Sequence, residues 1–292
     1  MEAFRISEQS AKIFSRLAGN RGETAVKTLV INLERETARL GHMRKVFGEQ
    51  GLDFTVVKAV DAKLLSQEEL KVGRTGTPRF YELGAGEIAC FLSHRKCWEI
   101  AAQSDDAYTV ICEDDIFLGE NASAIFGDES WIPADAGVVR LEACRPKTLI
   151  GKAAVSTVAG RKVHPLRVAH AGAGAYLISR SCAQVLHANS RAFCDPVDQF
   201  LYSSRSFCDD SLVIYQVNPS PAIQEVFLRK DRILGSSLFG ERFDIESIKQ
   251  KKSSKILILN KTNKVFKKIF RKFSEVIDNI FTDDRWVRIG FR

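Results

Sequence analysis

Two short apolar runs rich in β-branched residues, Lys27 to Leu33 (KTLVINL) and Phe54 to Val60 (FTVVKAV), flank a polar, helix-prone stretch from Glu36 to Gln50. The two runs read as strands, the first feeding a helix over the stretch between them. A short helix over Ser66 to Val72 completes a βαβα start, and such alternation predicts an α/β domain with a largely parallel sheet. After the turn-rich Gly73 to Pro78, Gly84-Ala85-Gly86 leads into a helical pattern from Glu87 to about Gln103. Tyr108 to Cys112 (YTVIC) is a further buried strand that runs directly into Glu113-Asp114-Asp115. More strands are expected at Gly137 to Leu141, Ala173 to Ile178 and Leu212 to Val217, with a hairpin over Ala153 to Val168 around Ala159-Gly160-Arg161. Helices are expected at Ser179 to Asn189, capped by Ser179 or Ser181, and at Pro196 to Ser203, opened by its proline.

With 45% hydrophobic residues in 292, the chain can bury a real core. Its seven cysteines are scattered, with neither a CxxC pair nor a tight Cys/His cluster, which argues against a disulfide scaffold or a zinc site and for a reducing, cytoplasmic compartment. Met1 to Arg21 lacks the apolar core of a secretory signal, and no run approaches the roughly 18 apolar residues of a spanning helix. Ten of the 43 Lys and Arg fall between Lys249 and Lys272 with no acid among them, so the remaining 33 are outnumbered by 36 acids. The excess positive charge thus belongs to the tail. From Val265 to Phe281 apolar residues recur at helical spacing, with Lys264, Lys267, Lys268, Arg271 and Lys272 opposite. The expected organisation is an N-terminal extension (1–23), one α/β domain (24–236) and a basic amphipathic helical tail (237–292). Such a tail binds anionic membrane surfaces in the plane of the interface, or packs on protein. No nucleic-acid-binding module is recognisable, so nucleic acid is not expected as a partner.

Three acids at the end of a buried strand are candidates for chemistry, because strand ends in α/β sheets open onto the crevice where ligands bind. Clustered carboxylates there can hold Mg²⁺ or Mn²⁺ against a diphosphate, and a solvated, capping loop is the alternative. Glu87 and His94 share one face of their helix; the alternative is a first-turn acid complementing the helix dipole and a core-edge histidine. Asn32 at the end of the first strand, with Arg35 and Arg39 just beyond, can read a nucleotide or its phosphates. Asp61, ending the second strand, suits ribose hydroxyls or simply forms a turn. Asp195 and Asp198 flank Pro196 at a helix start, where a carboxylate can take a proton from an attacking hydroxyl or cap the helix, and Asp195 looks more like the cap. Gln224 and Glu225 follow the last strand, within reach of the same crevice.

Together these motifs resemble glycosyltransferase family 25, the bacterial lipooligosaccharide and animal collagen galactosyltransferases. The matching stretches are VINLERETAR (Val30 to Arg39), KAVDA (Lys58 to Ala62), LGAGEIACFLSHRKCW (Leu83 to Trp98), VICEDDI (Val110 to Ile116), GAYLISRSCAQVL (Gly174 to Leu186) and PVDQFL (Pro196 to Leu201). Their order spans roughly residues 24 to 230, and the tail is not covered. The resemblance implies a GT-A-like, Rossmann-like fold, a UDP-sugar donor, galactose as the commonest sugar, and inversion at the anomeric carbon. It places Glu113, Asp114 and Asp115 in the position of the acidic metal and donor motif, and Glu87, Ser93 and His94 in the family's characteristic helix. The motif here is EDD rather than a spaced DxD, and Ala62 stands where the family commonly has Gly.

The mechanism implied is direct displacement. Uridine lies near Asn32, Arg35, Arg39 and Asp61, with Gln224 close by, and Asp114 with Asp115 holds Mn²⁺ or Mg²⁺ on the diphosphate. Asp198, or failing that Glu87, deprotonates the hydroxyl of an oligosaccharide or lipid-linked glycan acceptor. A catalytically silent glycan-binding scaffold and a sugar-nucleotide hydrolase are the competing functions. Placement on the inner face of the plasma membrane follows from the basic tail.

Overall fold

The computed structural model describes residues 26–78, 80–168, 171–202, 212–228, 234, 275 and 278–292. The expected N-terminal extension and most of the expected amphipathic tail helix lie outside them. In chain order the elements are β1 (Lys27–Asn32), α1 (Thr37–Gly48), β2 (Thr55–Lys58), α2 (Gln67–Val72), α3 (Ala85–Ala102), β3 (Tyr108–Glu113), β4 (Ile116–Leu118), α4 (Ser123–Phe126), β5 (Val138–Arg140), β6 (Glu142–Ala143), β7 (Thr148–Gly151), β8 (Ser156–Val158), β9 (Arg161–Pro165), β10 (Ala175–Ser179), α5 (Arg180–Asn189), α6 (Val197–Tyr202), β11 (Ile214–Asn218), β12 (Ala222–Gln224), α7 (Glu225–Leu228) and β13 (Asp284–Val287).

Eight strands form one sheet in the order β2-β1-β3-β10-β5-β11-β9-β8. Pairing is parallel for β2-β1, β1-β3 and β5-β11 and antiparallel elsewhere, so only β10 and β9 run against the other six. This is the mixed, largely parallel sheet expected of a GT-A-like fold. Side chains alternate between its faces with a period of two. Leu29 and Ile31 of β1, Ile111 of β3 and Tyr176 and Ile178 of β10 join one core with Phe91, Trp98, Leu186 and Phe200. Val30, Val110, Cys112 and Leu177 join a second core with Met43, Phe47 and Trp131. The central strands are therefore apolar throughout because both faces are covered.

The long helix α3 is apolar around most of its circumference for the same reason, lying between the sheet and α5 and α6. Phe91 stacks on Phe193 at a ring separation of 3.6 Å, and Trp98 lies 5.8 Å from Phe200. Ser66 caps α2 through a reciprocal box with Glu69, and Ser179 caps α5 by accepting from Cys182 N at 3.2 Å. In the β8–β9 hairpin both turn residues are left-handed (Ala159 φ 47°, Gly160 φ 75°), the backbone that matches the twist of a two-residue hairpin.

Two features depart from expectation. A second sheet, β4-β12-β6, escapes a reading by pattern because its strands are two or three residues long. The expected tail also does not remain helical to residue 292. Residues 278–281 are helical, but β13 then pairs antiparallel with β7, from Asp284 opposite Gly151 to Val287 opposite Thr148. Ser220 N donates to Gly290 O at 2.7 Å, and Ile289 is buried with Ala143, Ile150 and Ile223. The apolar spacing breaks after Phe281, so the final residues satisfy their backbone on a free strand edge. No described helix is long and apolar enough to cross a membrane.

Because Ile289 is 4% exposed and Leu64 81% exposed, Ile289→Ala should cost about 2–4 kcal/mol in urea unfolding while Leu64→Ala stays within about 0.5 kcal/mol. Equal stability of the two variants would mean that the final residues do not dock.

Candidate active site

β1 and β3 run side by side in the same direction with Ile31 opposite Glu113, so Asn32 and the three acids leave the sheet together at its C-terminal edge. β2 runs parallel to β1 and ends just before Asp61. Beside these ends lies a cleft of about 380 Å³, lined by Arg35, Arg39, Asp61, Ser93, Glu113 and Asp114 among others. Crevices at strand C-termini are the usual ligand sites of such sheets.

The acids are held by groups from distant elements. Asn32 Nδ2 donates to Asp114 Oδ2 at 2.7 Å, and Arg39 pairs with the other oxygen of Asp114. Arg39 also reaches Asp115 at 3.6 Å. Gln224 Nε2, delivered by β12, donates to Glu113 Oε2 at 2.7 Å and to Asp115 Oδ1 at 3.2 Å. Burial and then the Glu113 charge push the Asp115 carboxyl up to about 7, against the pull of Arg39. Burial likewise raises Asp114. Burial also opposes ionisation of Glu113, yet the hydrogen bond from His94 and the nearby positive charge hold it below the ordinary carboxylate value. Three carboxylates thus face one guanidinium, a surplus of negative charge that a divalent cation would relieve. All the acid ligand atoms are oxygens, which suits Mg²⁺ or Mn²⁺. Asp114 is already committed on both oxygens, leaving Asp115 the freer ligand.

A hydrogen-bond chain behind the cleft fixes Glu113. Trp98 Nε1 donates to the Tyr176 hydroxyl at 2.8 Å, and burial pushes that hydroxyl well above its usual pKa, so it keeps its proton. Tyr176 Oη lies 2.9 Å from His94 Nδ1, and His94 Nε2 lies 3.2 Å from Glu113 Oε1. The arrangement that satisfies every member has Tyr176 donating to Nδ1 and Nε2–H donating to Glu113.

The other expected residues fall in varied places. Arg35 and Asp61 form an ion pair at the rim of the cleft, while Asp61 also accepts from Lys63 N at 3.0 Å as a turn former. Asn32 is buried against Asp114 rather than presented to the cleft. Glu87 caps its own helix, accepting from Gly84 N at 3.1 Å and from the Tyr81 hydroxyl at 2.7 Å. Asp198 accepts from Gly172 N at 2.9 Å and Gln199 N at 2.8 Å and does not line the cleft. It borders the stretch Ala171 to Gly174, whose other end meets the acids, since Glu113 N donates to Gly174 O at 2.8 Å.

Sequence reasoning missed Tyr176, Arg140 and Glu142. Arg140 and Glu142 form a fully buried ion pair, with Arg140 Nη2 also donating to Ala171 O at 3.0 Å. An Arg and a Glu alternating within the apolar run Val138 to Cys144 were a legible signal, because charges are rarely buried unless paired. Gly174 must lack a side chain: an added Cβ would come within 2.6 Å of Gln224 Cγ and 2.8 Å of Glu142 Oε2.

Tyr176→Phe keeps the ring but orphans the Trp98 N–H and one His94 nitrogen. It should cost about 1–3 kcal/mol in urea unfolding, and an unchanged midpoint would refute the chain of bonds.

Comparison with known proteins identifies the family. Residues 25–201 match the family described as glycosyltransferase family 25 (LPS biosynthesis protein). The lipooligosaccharide biosynthesis protein lic2B of Haemophilus influenzae is 30% identical over 261 residues, covering 83% of this chain and 94% of that protein. The lacto-N-neotetraose biosynthesis glycosyltransferase LgtE of Neisseria gonorrhoeae is 30% identical over 230 residues, covering 73% and 80%. Among solved structures, a glycosyltransferase involved in glycosylation of the major capsid of PBCV-1 superposes with a TM-score of 0.38 at 8% identity, over 69% of this chain and 92% of that one. The chain belongs to glycosyltransferase family 25.

Proposed function

We propose that the protein transfers a hexose, galactose by preference, from a UDP-sugar to a lipooligosaccharide or related cell-surface glycan, inverting the anomeric carbon. The observation that carries this reading is the surplus of carboxylate charge, Glu113 to Asp115 against Arg39, beside a cleft large enough for a nucleotide. Family membership and the lipooligosaccharide relatives support the acceptor class.

In this reading the uridine and ribose occupy the cleft between Arg35, Asp61 and Ser93, and the diphosphate points towards Arg39. Asp115, seconded by Asp114, would hold Mn²⁺ or Mg²⁺, a group that would supply charge neutralisation for the departing UDP. Asn32 and Arg39 orient Asp114, and Gln224 orients Asp115. Asp198 serves as the base. Backbone N–H groups of Gly172 and Gln199 hold its carboxylate in place while the acceptor hydroxyl loses its proton. One displacement step then gives inversion.

Asp115→Asn should lose turnover by a hundredfold or more at saturating Mn²⁺, on the order of what an electrostatic contact to the transition state supplies. Asp198→Ala should lower kcat by about a hundredfold to ten-thousandfold with little change in KM for the donor. Full turnover by either variant removes that assignment. UDP release that requires an added oligosaccharide marks a transferase; release without one marks a hydrolase, and no release marks a binding protein.

We also propose peripheral attachment to the inner face of the plasma membrane through the lysines between Lys249 and Lys272. Truncation is a poor test, because it would also delete Ile289 and β13 from the folded domain. Replacing Lys264, Lys267, Lys268 and Lys272 by Gln should abolish sedimentation with anionic liposomes, and undiminished binding would refute the attachment.

A further inference from the structure

Cys90 and His94 stand one helical turn apart on α3, a spacing that aims both side chains the same way, and Glu113 leaves β3 opposite them. Cys90 Sγ, His94 Nε2 and a Glu113 oxygen all lie within 4.8 Å of one another, the one such set of metal-ligating types among the described residues. His94 Nε2 is 3.2 Å and Cys90 Sγ 3.9 Å from the same Glu113 Oε1. Ligands roughly 2.0–2.3 Å from a tetrahedral Zn²⁺ sit about 3.3–3.8 Å apart, so this triangle needs only a small adjustment to close on the ion.

The ligand types separate this place from the carboxylate site. A thiolate and an imidazole select zinc-type cations, whereas Mg²⁺ and Mn²⁺ prefer oxygen. Two of the three ligands already have orienting partners of the kind that metal sites use: Tyr176 on the far nitrogen of His94 and Gln224 on the far oxygen of Glu113. All three residues line the cleft, which leaves a fourth position open to it.

We propose that Cys90, His94 and Glu113 form a zinc-type cation site on the wall of the donor cleft, separate from the oxygen site at Asp115. On binding, Cys90 gives up its thiol proton to solvent. The single imidazole proton moves from Nε2 to Nδ1, which then donates to the Tyr176 oxygen, and the tyrosine hydroxyl turns its own proton away. Occupancy takes Glu113 from His94 and places a cation on the wall of the cleft.

The test reads metal binding rather than turnover, so it stands or falls independently of the transferase reading. Full-length protein titrated with Co²⁺ should develop a thiolate-to-cobalt absorption together with the strong visible bands of four-coordinate cobalt, and Zn²⁺ should bleach both while excess Mn²⁺ does not. Cys90→Ser should lose the thiolate band, and both it and His94→Gln should weaken Zn²⁺ binding by about a hundredfold or more, since even outer partners of metal ligands are worth roughly 10–100-fold. Thermal unfolding of Cys90→Ser without metal establishes that the variant is folded. No thiolate band in the wild type, or a band that persists in folded Cys90→Ser, overturns the proposal.

Discussion

Three consecutive carboxylates at the edge of a packed sheet repel one another and resist burial, and their neutralisation organises the whole site. Each is met by a different part of the chain: Asp114 by Asn32 and Arg39, Asp115 by Arg39 and Gln224, and Glu113 by His94 and Gln224. No single element could supply these partners. The parallel register of β1 with β3, the reach of α1 and the short strand β12 must all be in place before the acids can coexist. Even then one guanidinium does not balance three carboxylates, and Asp115 carries the remaining strain as a carboxyl raised to about 7 by burial and its acidic neighbours.

The helix α3 couples this electrostatic arrangement to the core. Its apolar residues pack against the sheet and against Phe193 and Phe200, while His94, fully buried in the same helix, carries a line of hydrogen bonds from Trp98 through Tyr176 to Glu113. Packing on one side therefore sets a side-chain position on the other. The glycines at 172 and 174 serve the same end, letting Glu142 and Gln224 approach the backbone that joins the acid cluster to Asp198.

Much of this was legible in the chain. The strands, the capped helices and the acids after Val110 to Cys112 follow from local pattern, because a short β-branched apolar run favours a strand and a helix must cap its first turn. What pattern could not supply were short or remote contributions. β4, β6 and β12 are too short to show a period, yet β12 delivers Gln224. Glu87 was chemically eligible as a base, and only the Tyr81 and Gly84 contacts show its carboxylate to be occupied. The lysine-rich helical pattern of the tail gave no sign that the end of the chain pairs with β7.

The sequence by itself determined the alternation of strands and helices, the apolar layers and the presence of a carboxylate triplet at a strand end, since each is set by neighbours within a few residues. The tertiary structure decided which charges meet. Arg39 is separated from Asp114 by 75 residues and Gln224 from Glu113 by 111, and contacts over such distances depend on sheet order and register rather than on local spacing. Cys90, His94 and Glu113 carry the same lesson: helical spacing aligns the thiol with the imidazole, but only the packing of α3 against β3 brings the carboxylate to them.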